Sequence, residues 1–302
     1  MLPKGKFLAC DWGTTRVRAW VVDESGTPLS KKVFPLGVSK LAPGEAEVKF
    51  RQEVRHTMKA ETLPALLCGM IGSNLGWVAV AYQPCPADLQ TIAHGLYRVE
   101  AEPGAWIVPG LCGPGLAGAP DVMRGEETQI IGWVEQDREH ARGRHVLCHP
   151  GTHAKWTVVE NGRIMRFLTA MTGELFELLR AHSVLRNTGA VDDPSAFDEG
   201  VMAAGDGGAL SARLFTARSR VVTGLKRAAS TPSYLSGLLI GAEISGLPML
   251  LGVNAGERTS LLGEPELCRW YARAMGLRGI PTEMHDGEAA VLAGLKSLRA
   301  CA

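Results

Sequence analysis

The chain has 302 residues, 46% hydrophobic and 21% charged, with 32 Lys and Arg against 31 Asp and Glu and a net charge of +1. That size allows two domains with full apolar cores, and the interspersed charge excludes a basic nucleic-acid face, a membrane-surface patch or an acidic tail. Seven cysteines at 10, 68, 85, 112, 148, 268 and 301, with no C-x-x-C pair, exclude a disulfide scaffold and suit free thiols in the reducing cytoplasm; no uninterrupted apolar run approaches the ~18 residues of a membrane span.

The first stretch, Phe7 to Asp23, predicts a strand, a tight polar turn and a second strand. Its apolar run ends at Asp11 and resumes at Val17, Ala19 and Val21, with Gly13, Thr14 and Thr15 between. Small residues there let backbone N–H groups and hydroxyls approach an anion. A carboxylate closing a buried strand beside such a turn suits hydrated Mg2+. An ordinary hairpin with a polar turn explains the pattern equally well.

Further along, a third strand is expected at Lys31 to Phe34, a charged helical stretch at 44–60, and a short strand at Leu63 to Cys68. The loop Gly69 to Trp77 follows, then a Pro-containing link, a helix at 87–97, a strand at Trp106 to Pro109 and a loop with glycines at 110, 113, 115 and 118. A helix is predicted over Glu126 to Glu135, and the charged stretch 136–144 marks a boundary between lobes, 1–138 and 139–302. The second half opens with a strand at His145 to His149, the turn Pro150 to His153, and a hairpin about Asn161-Gly162. Helices are expected at 173–185, 195–205, 209–217, 232–246, 264–275 and 286–298, with strands at Thr259 to Leu262 and Ile280 to Glu283.

Alternating strands and helices give an α/β class. The second half also echoes the first: V-L-C-H-P-G-T-H-A-K-W against F-L-A-C-D-W-G-T-T-R-V. Two similar lobes, each with a small-residue turn, would face each other across a cleft able to hold a polyphosphate. Neither a P-loop nor a G-x-G-x-x-G after a strand is present. In the two-lobe reading Thr14, Thr15 and Arg16, beside Gly13, contact the transferred phosphoryl region, Gly151, Thr152 and His153 contact the other phosphates, and Asp11 holds Mg2+. A zinc site from Cys148, His149 and His153 is disfavoured, because Pro150-Gly151 breaks the helix an i, i+4 pair needs.

Phosphoryl transfer to a hydroxyl calls for a carboxylate at the acceptor. Glu126 is the first candidate and Glu127 the second, although successive residues point to different helix faces; Asp121 is a third. The helix dipole alone could account for one acid at a helix start. Arg124 could clamp a substrate carboxylate bidentately. Ser73, Asn74 and Trp77 form a polar-aromatic loop suited to a polyol, or equally a surface turn with a buried ring. Gly237 and Gly241 permit close approach to the apolar helix at 232–246, and Gly263 makes a turn at a helix start, where an adenine ring could lie.

Seven strings in order, D-W-G-T-T (11–15), G-M-I-G-S-N-L-G-W (69–77), I-V-P-G-L-C (107–112), V-M-R-G-E-E-T-Q (122–129), P-G-T-H-A-K-W (150–156), M-T-G-E-L (171–175) and L-S-G-L-L-I-G-A-E (235–243), resemble the 2-dehydro-3-deoxygalactonokinase family. These are sugar-acid kinases of the actin/hexokinase/Hsp70 superfamily. The resemblance implies a two-lobe ribonuclease H-like fold with an interlobe cleft, and ATP-dependent phosphorylation of 2-dehydro-3-deoxy-D-galactonate at its 6-hydroxyl, feeding an aldolase. It makes D-W-G-T-T the first phosphate motif and P-G-T-H the second, with the sugar acid in the N-terminal lobe and adenosine in the C-terminal lobe. In the related FGGY sugar kinases a catalytic Asp follows glycine at a helix start; here Gly125-Glu126 stands there, one methylene longer, and Asp11 remains a rival base. The rival readings are a kinase of another 2-keto-3-deoxy sugar acid such as the gluconate epimer, a non-enzymatic actin- or Hsp70-like ATPase, and a repressor, which would need a helix-turn-helix arm. A homodimer is left open.

Overall fold

The computed structural model describes residues 5–205, 209–254 and 256–302. β1 (Phe7–Trp12), β2 (Val17–Val22) and β3 (Pro28–Phe34) form an antiparallel meander. β1 and β2 are buried almost throughout, as strands covered on both faces are. β3 is exposed up to Phe34 and closes the sheet with Lys31 and Lys32 on its edge.

The charged stretch is a helix that changes pitch, α1 (Glu45–Lys49) running through a π-helical segment at Phe50–Arg55 into α2 (His56–Met58). β4 (Ala65–Gly69) returns parallel to β1. Then come β5 (Gln83–Pro84), α3 (Leu89–His94), β6 (Tyr97–Arg98) and β7 (Ala105–Ile107), completing a sheet of order β3-β2-β1-β4-β7-β6. The glycine-rich stretch expected as a loop holds β8 (Leu111–Pro114), which pairs with β5 and with β9 (Pro120–Met123). Gly113, Pro114 and Pro120 hide these strands from a reading by composition, and their register is set by pairing alone. β9 leads straight into α4 (Glu126–Gln136).

The second sheet begins with β10 (Arg144–His149), β11 (Ala154–Glu160) and β12 (Arg163–Ala170). Asn161 and Gly162 have φ of 49° and 75°, as the two-residue hairpin turn requires. Four helices follow: α5 (Thr172–His182), α6 (Pro194–Ala204), α7 (Leu210–Val222) and α8 (Thr231–Leu250). β13 (Thr259–Gly263), α9 (Pro265–Leu277), β14 (Thr282–Asp286) and α10 (Gly287–Cys301) end the chain. The order β12-β11-β10-β13-β14, with β10, β13 and β14 parallel, repeats the plan of β3-β2-β1-β4-β7. The echo between the two halves of the sequence is therefore a duplicated ribonuclease H-like sheet.

The chain forms two compact units, but not by a single cut near residue 138. The first takes the described residues up to Arg144 together with Val159–Arg166 and Gly287–Ala302; the second is His145–Val158 with Phe167–Asp286. The last helix joins the first unit because α10 and α4 meet backbone to backbone. A Cβ on Gly132 would lie 1.8 Å from the Ala290 carbonyl oxygen, and one on Gly294 would lie 2.0 Å from that of Thr128.

In the second unit α8 meets α6 in the same way: a Cβ on Gly237 would lie 2.0 Å from the Phe197 carbonyl oxygen. By length and composition α8 could cross a bilayer, but Leu235, Leu238, Leu239 and Ile240 are buried in the core of this unit. The close approach expected of Gly237 and Gly241 is thus used for helix packing. Gly241, expected also at the nucleotide, sits under Val201 and Ala204 of α6.

Because a backbone carbonyl cannot move aside cheaply, Gly132→Ala is expected to cost about 1–3 kcal/mol in urea denaturation. Gly276→Ala, where a Cβ meets nothing within 4 Å, should change stability by less than about 1 kcal/mol. Equal stability of the two variants would contradict the packing of α4 on α10.

Candidate active site

The first unit gathers its polar groups where β1 and β4 end. Asp11 pairs in register with Cys68, and Trp12 with Gly69. Arg18, on the neighbouring β2, donates from Nε to Asp11 Oδ2 at 2.9 Å, and its Nη2 also contacts that oxygen. The other oxygen, Oδ1, lies 3.9 Å from the Cys68 thiol. Arg18 was missed by motif reasoning; its only signal is an arginine between Val17 and Ala19 in a strand that is otherwise buried.

After Asp11 the chain turns tightly, with the Gly13 N–H donating to Arg16 O at 2.9 Å. The turn is braced from behind: Ser39 donates from N and Oγ to Thr14 O at 3.1 and 2.7 Å. Gly37 is pressed so closely on it that a Cβ there would lie 2.2 Å from the same oxygen. The side chains of Thr14, Thr15 and Arg16 are left exposed.

The start of α4 reaches this strand end through two glycines. A Cβ on Gly125 would lie 3.3 Å from Gly69 Cα, and one on Gly69 would lie 3.3 Å from Asp11 Oδ1. Gly125 has φ 111°, a conformation that other residues rarely adopt. The two acids that follow diverge, as their adjacency predicts. Glu126 is half-buried, and its Oε2 accepts the Arg124 N–H at 3.2 Å. Glu127 is fully buried; Oε2 accepts from the Gly125 N–H at 2.6 Å and Oε1 from Thr128 Oγ1 at 2.9 Å. Burial first, and then the charge of Glu126, raise the Glu127 carboxyl from 4.5 to about 7. The Cys68 thiol is likewise pushed well up, by burial and then by the charges of Asp11 and Glu127 on either side of it. Asp121 stands apart on β9, with Oδ1 accepting from the Val122 N–H at 2.7 Å.

Arg124, just before the glycine, is 9% exposed. Its Nη2 donates to Val80 O at 2.7 Å and its Cζ lies 4.3 Å from the centre of the Tyr82 ring. Among the described residues Nε and Nη1 have no hydrogen-bond partner. Gly72 makes room for it: a Cβ there would lie 2.9 Å from Nη1. The loop carrying Ser73, Asn74 and Trp77 is therefore next to Arg124. Within that loop Ser73 Oγ is committed to Met70 O at 2.7 Å, Asn74 is exposed, and the Trp77 ring packs 5.4 Å from that of Phe50.

In the second unit the turn Pro150 to His153 is scaffolded from two sides. A Cβ on Gly173, at the start of α5, would lie 2.5 Å from Gly151 O, and the Glu174 N–H donates to Thr152 O at 3.0 Å. A Cβ on Gly263 would lie 3.3 Å from Pro150 O, so Gly263 and the turn are neighbours. Gly151 itself has open space on its Cα. His153 is exposed, with Nε2 bonded to Glu174 Oε2 at 2.5 Å. Beneath the turn a buried acid that the motifs did not single out for a role, Glu243 of α8, accepts from Trp156 Nε1 at 2.7 Å and Tyr271 OH at 2.8 Å, and from Thr172 Oγ1. It thereby ties β11, α5 and α9 together.

Among the described residues no three His, Cys, Asp or Glu side chains gather as a metal site. Asp11 suits Mg2+, which keeps its waters and needs one or two carboxylates besides phosphate oxygens: Arg18 fixes one carboxylate oxygen, and the other, Oδ1, lies 3.9 Å from the Cys68 thiol.

A duplicated ribonuclease H-like sheet, with a small-residue turn after the first strand of each copy, places the chain in the actin/hexokinase fold class. Residues 11–298 match the family model described as 2-keto-3-deoxy-galactonokinase. The chain belongs to that family, and the family match makes it a phosphotransferase. It is 32% identical over 298 residues to the 2-dehydro-3-deoxygalactonokinase of Escherichia coli (strain K12), covering 97% of each chain. It is also 32% identical over 304 residues to a protein of Rhizobium meliloti (strain 1021) named a probable 2-dehydro-3-deoxygalactonokinase, covering 98% of this chain and 97% of the relative. A crystal structure from Sinorhizobium meliloti, described as of such a kinase, superposes with a TM-score of 0.85 at 32% identity, covering 97% of each chain.

The buried Glu127 carboxyl sets a pH dependence. The folded protein keeps this proton up to about pH 7, whereas the unfolded chain releases it near 4.5. Stability contributed here is therefore present below pH 4.5 and lost as pH rises to about 7, by roughly 3 kcal/mol. Glu127→Gln should flatten the fall in Tm between pH 5 and pH 8. An unchanged slope would show that Glu127 is ionised throughout.

Proposed function

We propose that the protein is an ATP-dependent kinase of 2-dehydro-3-deoxy-D-galactonate, phosphorylating its 6-hydroxyl with Mg2+ as cofactor. The observation that carries this reading is Arg124. A guanidinium that is 9% exposed, with two nitrogens unpartnered, costs stability unless an anion completes it. The planar fork suits a carboxylate, which a sugar acid carries and a neutral sugar lacks. The adjacent loop offers Asn74 to the sugar backbone, while Ser73 holds the loop through Met70 O and Trp77 anchors it on Phe50.

Glu126 is the group that accepts the hydroxyl proton, being half-buried at the helix start where Glu127 is enclosed. Glu127 holds the Gly125 N–H and thus the turn into α4. Asp11, oriented by Arg18, holds the hydrated cation, which when bound neutralises charge on phosphoryl oxygens. Gly13 to Arg16 bind the transferred phosphoryl group. In the second unit Gly151 and Thr152 bind nucleotide phosphates, and Gly263, beside them, opens the adenosine side; His153 supports the turn through Glu174. Seven free thiols suit a cytoplasmic setting.

Glu126→Gln should lower kcat by about 10²–10⁴ with little change in KM. Arg124→Leu should lower kcat/KM for the sugar acid by roughly 10²-fold or more, chiefly through KM. Steady-state assays separate the two. A near-normal kcat in Glu126→Gln would reassign the base, and an unchanged sugar-acid KM in Arg124→Leu would remove the clamp.

A further inference from the structure

Two buried polar side chains of the second unit have no part in the roles above. Lys155, on β11, is 5% exposed, and its ammonium donates to Thr169 Oγ1 at 3.0 Å. Among the described residues no carboxylate forms an ion pair with it. His149, the last residue of β10, is 4% exposed, and among the described residues neither ring nitrogen has a hydrogen-bond partner. Burial, and then the charge of Lys155, lower the imidazole to about 3, so the ring is neutral and offers one N–H. The turn Pro150 to His153 joins the two strands, so the ammonium and the ring stand at its base.

A buried ammonium without an anion is a net cost to folding, as is an imidazole with both nitrogens unbonded. Packing does not explain either: methionine or leucine would fill the same space without the penalty. An anion would satisfy both, with its oxygens accepting from Lys155 Nζ and from the His149 N–H. Just above, the Gly151 backbone is open and Thr152 is exposed. A phosphate group has enough oxygens to engage the ammonium, the ring and the turn together; a carboxylate has two.

We propose that Lys155 and His149 form a binding site for a phosphate group of the nucleotide, at the base of the turn Pro150 to His153. This rests on reading that turn as a nucleotide-phosphate turn. Lys155 is the charge that draws the phosphate in, and the buried His149 ring is a neutral donor beside it.

The test uses the full-length protein, with ADP as probe in titration calorimetry and thermal denaturation. Lys155→Met should weaken ADP binding by about 10–100-fold and abolish most of the rise in Tm caused by ADP. Without ligand its Tm should equal or exceed that of the unaltered protein, because the uncompensated charge is gone. His149→Leu should weaken ADP binding several-fold, and KM for the sugar acid should hold in both. Unchanged ADP affinity in Lys155→Met would overturn the proposal, as would a loss that falls on the sugar-acid KM instead, which would make the anion a substrate carboxylate. A fall in Tm without ligand, with the ADP-induced rise intact, would show a structural role only. If Lys155→Met does not fold, Lys155→Arg, which keeps the charge but displaces the donor, carries the same titration, and full ADP affinity in it and in His149→Leu overturns the site. Failure of the unaltered protein to bind ADP would refute the nucleotide reading itself.

Discussion

The closeness of one helix start to two strand ends governs the first unit. A side chain at Gly125 would press on the Gly69 backbone, and one at Gly69 on the Asp11 carboxylate and the Trp12 carbonyl. With both positions bare, the start of α4 sits against the ends of β1 and β4, and the positive end of the helix dipole lies beside acidic groups that would otherwise repel one another. The α4–α10 contact through Gly132 and Gly294 holds the helix there. Asp11, Cys68 and Glu127 then share one buried neighbourhood, in which a charge matters far more than at the surface. Arg18 neutralises one member and a raised proton affinity neutralises another, while Glu126 stays within reach of solvent.

The same fold leaves selected cations undercompensated. Arg124 in the first unit and Lys155 in the second are both at least nine-tenths buried, and neither has a carboxylate partner among the described residues. Arg55, 2% exposed, differs in having a carboxylate partner: it is held by Glu102 at 2.8 Å and by the Ala60 and Leu63 carbonyls. The contrast is why we propose ligand roles for Arg124 and Lys155 and none for Arg55. Proteins tolerate such local costs at binding sites and recover them elsewhere, here in the close helix contacts of α4 with α10 and α6 with α8.

Much of this was legible in the sequence because local chemistry and global fold agree there. The Asn161-Gly162 turn, Pro265 in the first turn of α9 and the apolar runs of β1 and β10 each carry their own signal. The duplicated plan was visible as an echo of two short strings and reappears as matching strand orders. What stayed hidden depends on tertiary pairing. β8 and β9 look like loops because proline and glycine dominate them. Residue order places α10 with the second half, and its packing on α4, α3, β4 and β1 returns it to the first unit. At the candidate site, type and position single out Asp11, Arg124 and Glu126 as proposals, and β1, β4 and the start of α4 bring Asp11 and the residues about Gly125 together. Arg18 as the partner of Asp11, the enclosure of Glu127 and the packing role of Gly241 follow from contacts that no spacing encodes.

We propose that Arg124, a buried cation beside the acidic start of α4, selects a sugar acid for phosphorylation. ATP-dependent ADP release, followed across 2-keto-3-deoxy sugar acids and neutral sugars of the same length, with the phosphorylated carbon located by NMR, tests it most directly. The expected result is turnover of the sugar acids alone, 2-dehydro-3-deoxy-D-galactonate foremost, with phosphate on the 6-hydroxyl. Comparable turnover of neutral sugars would contradict it.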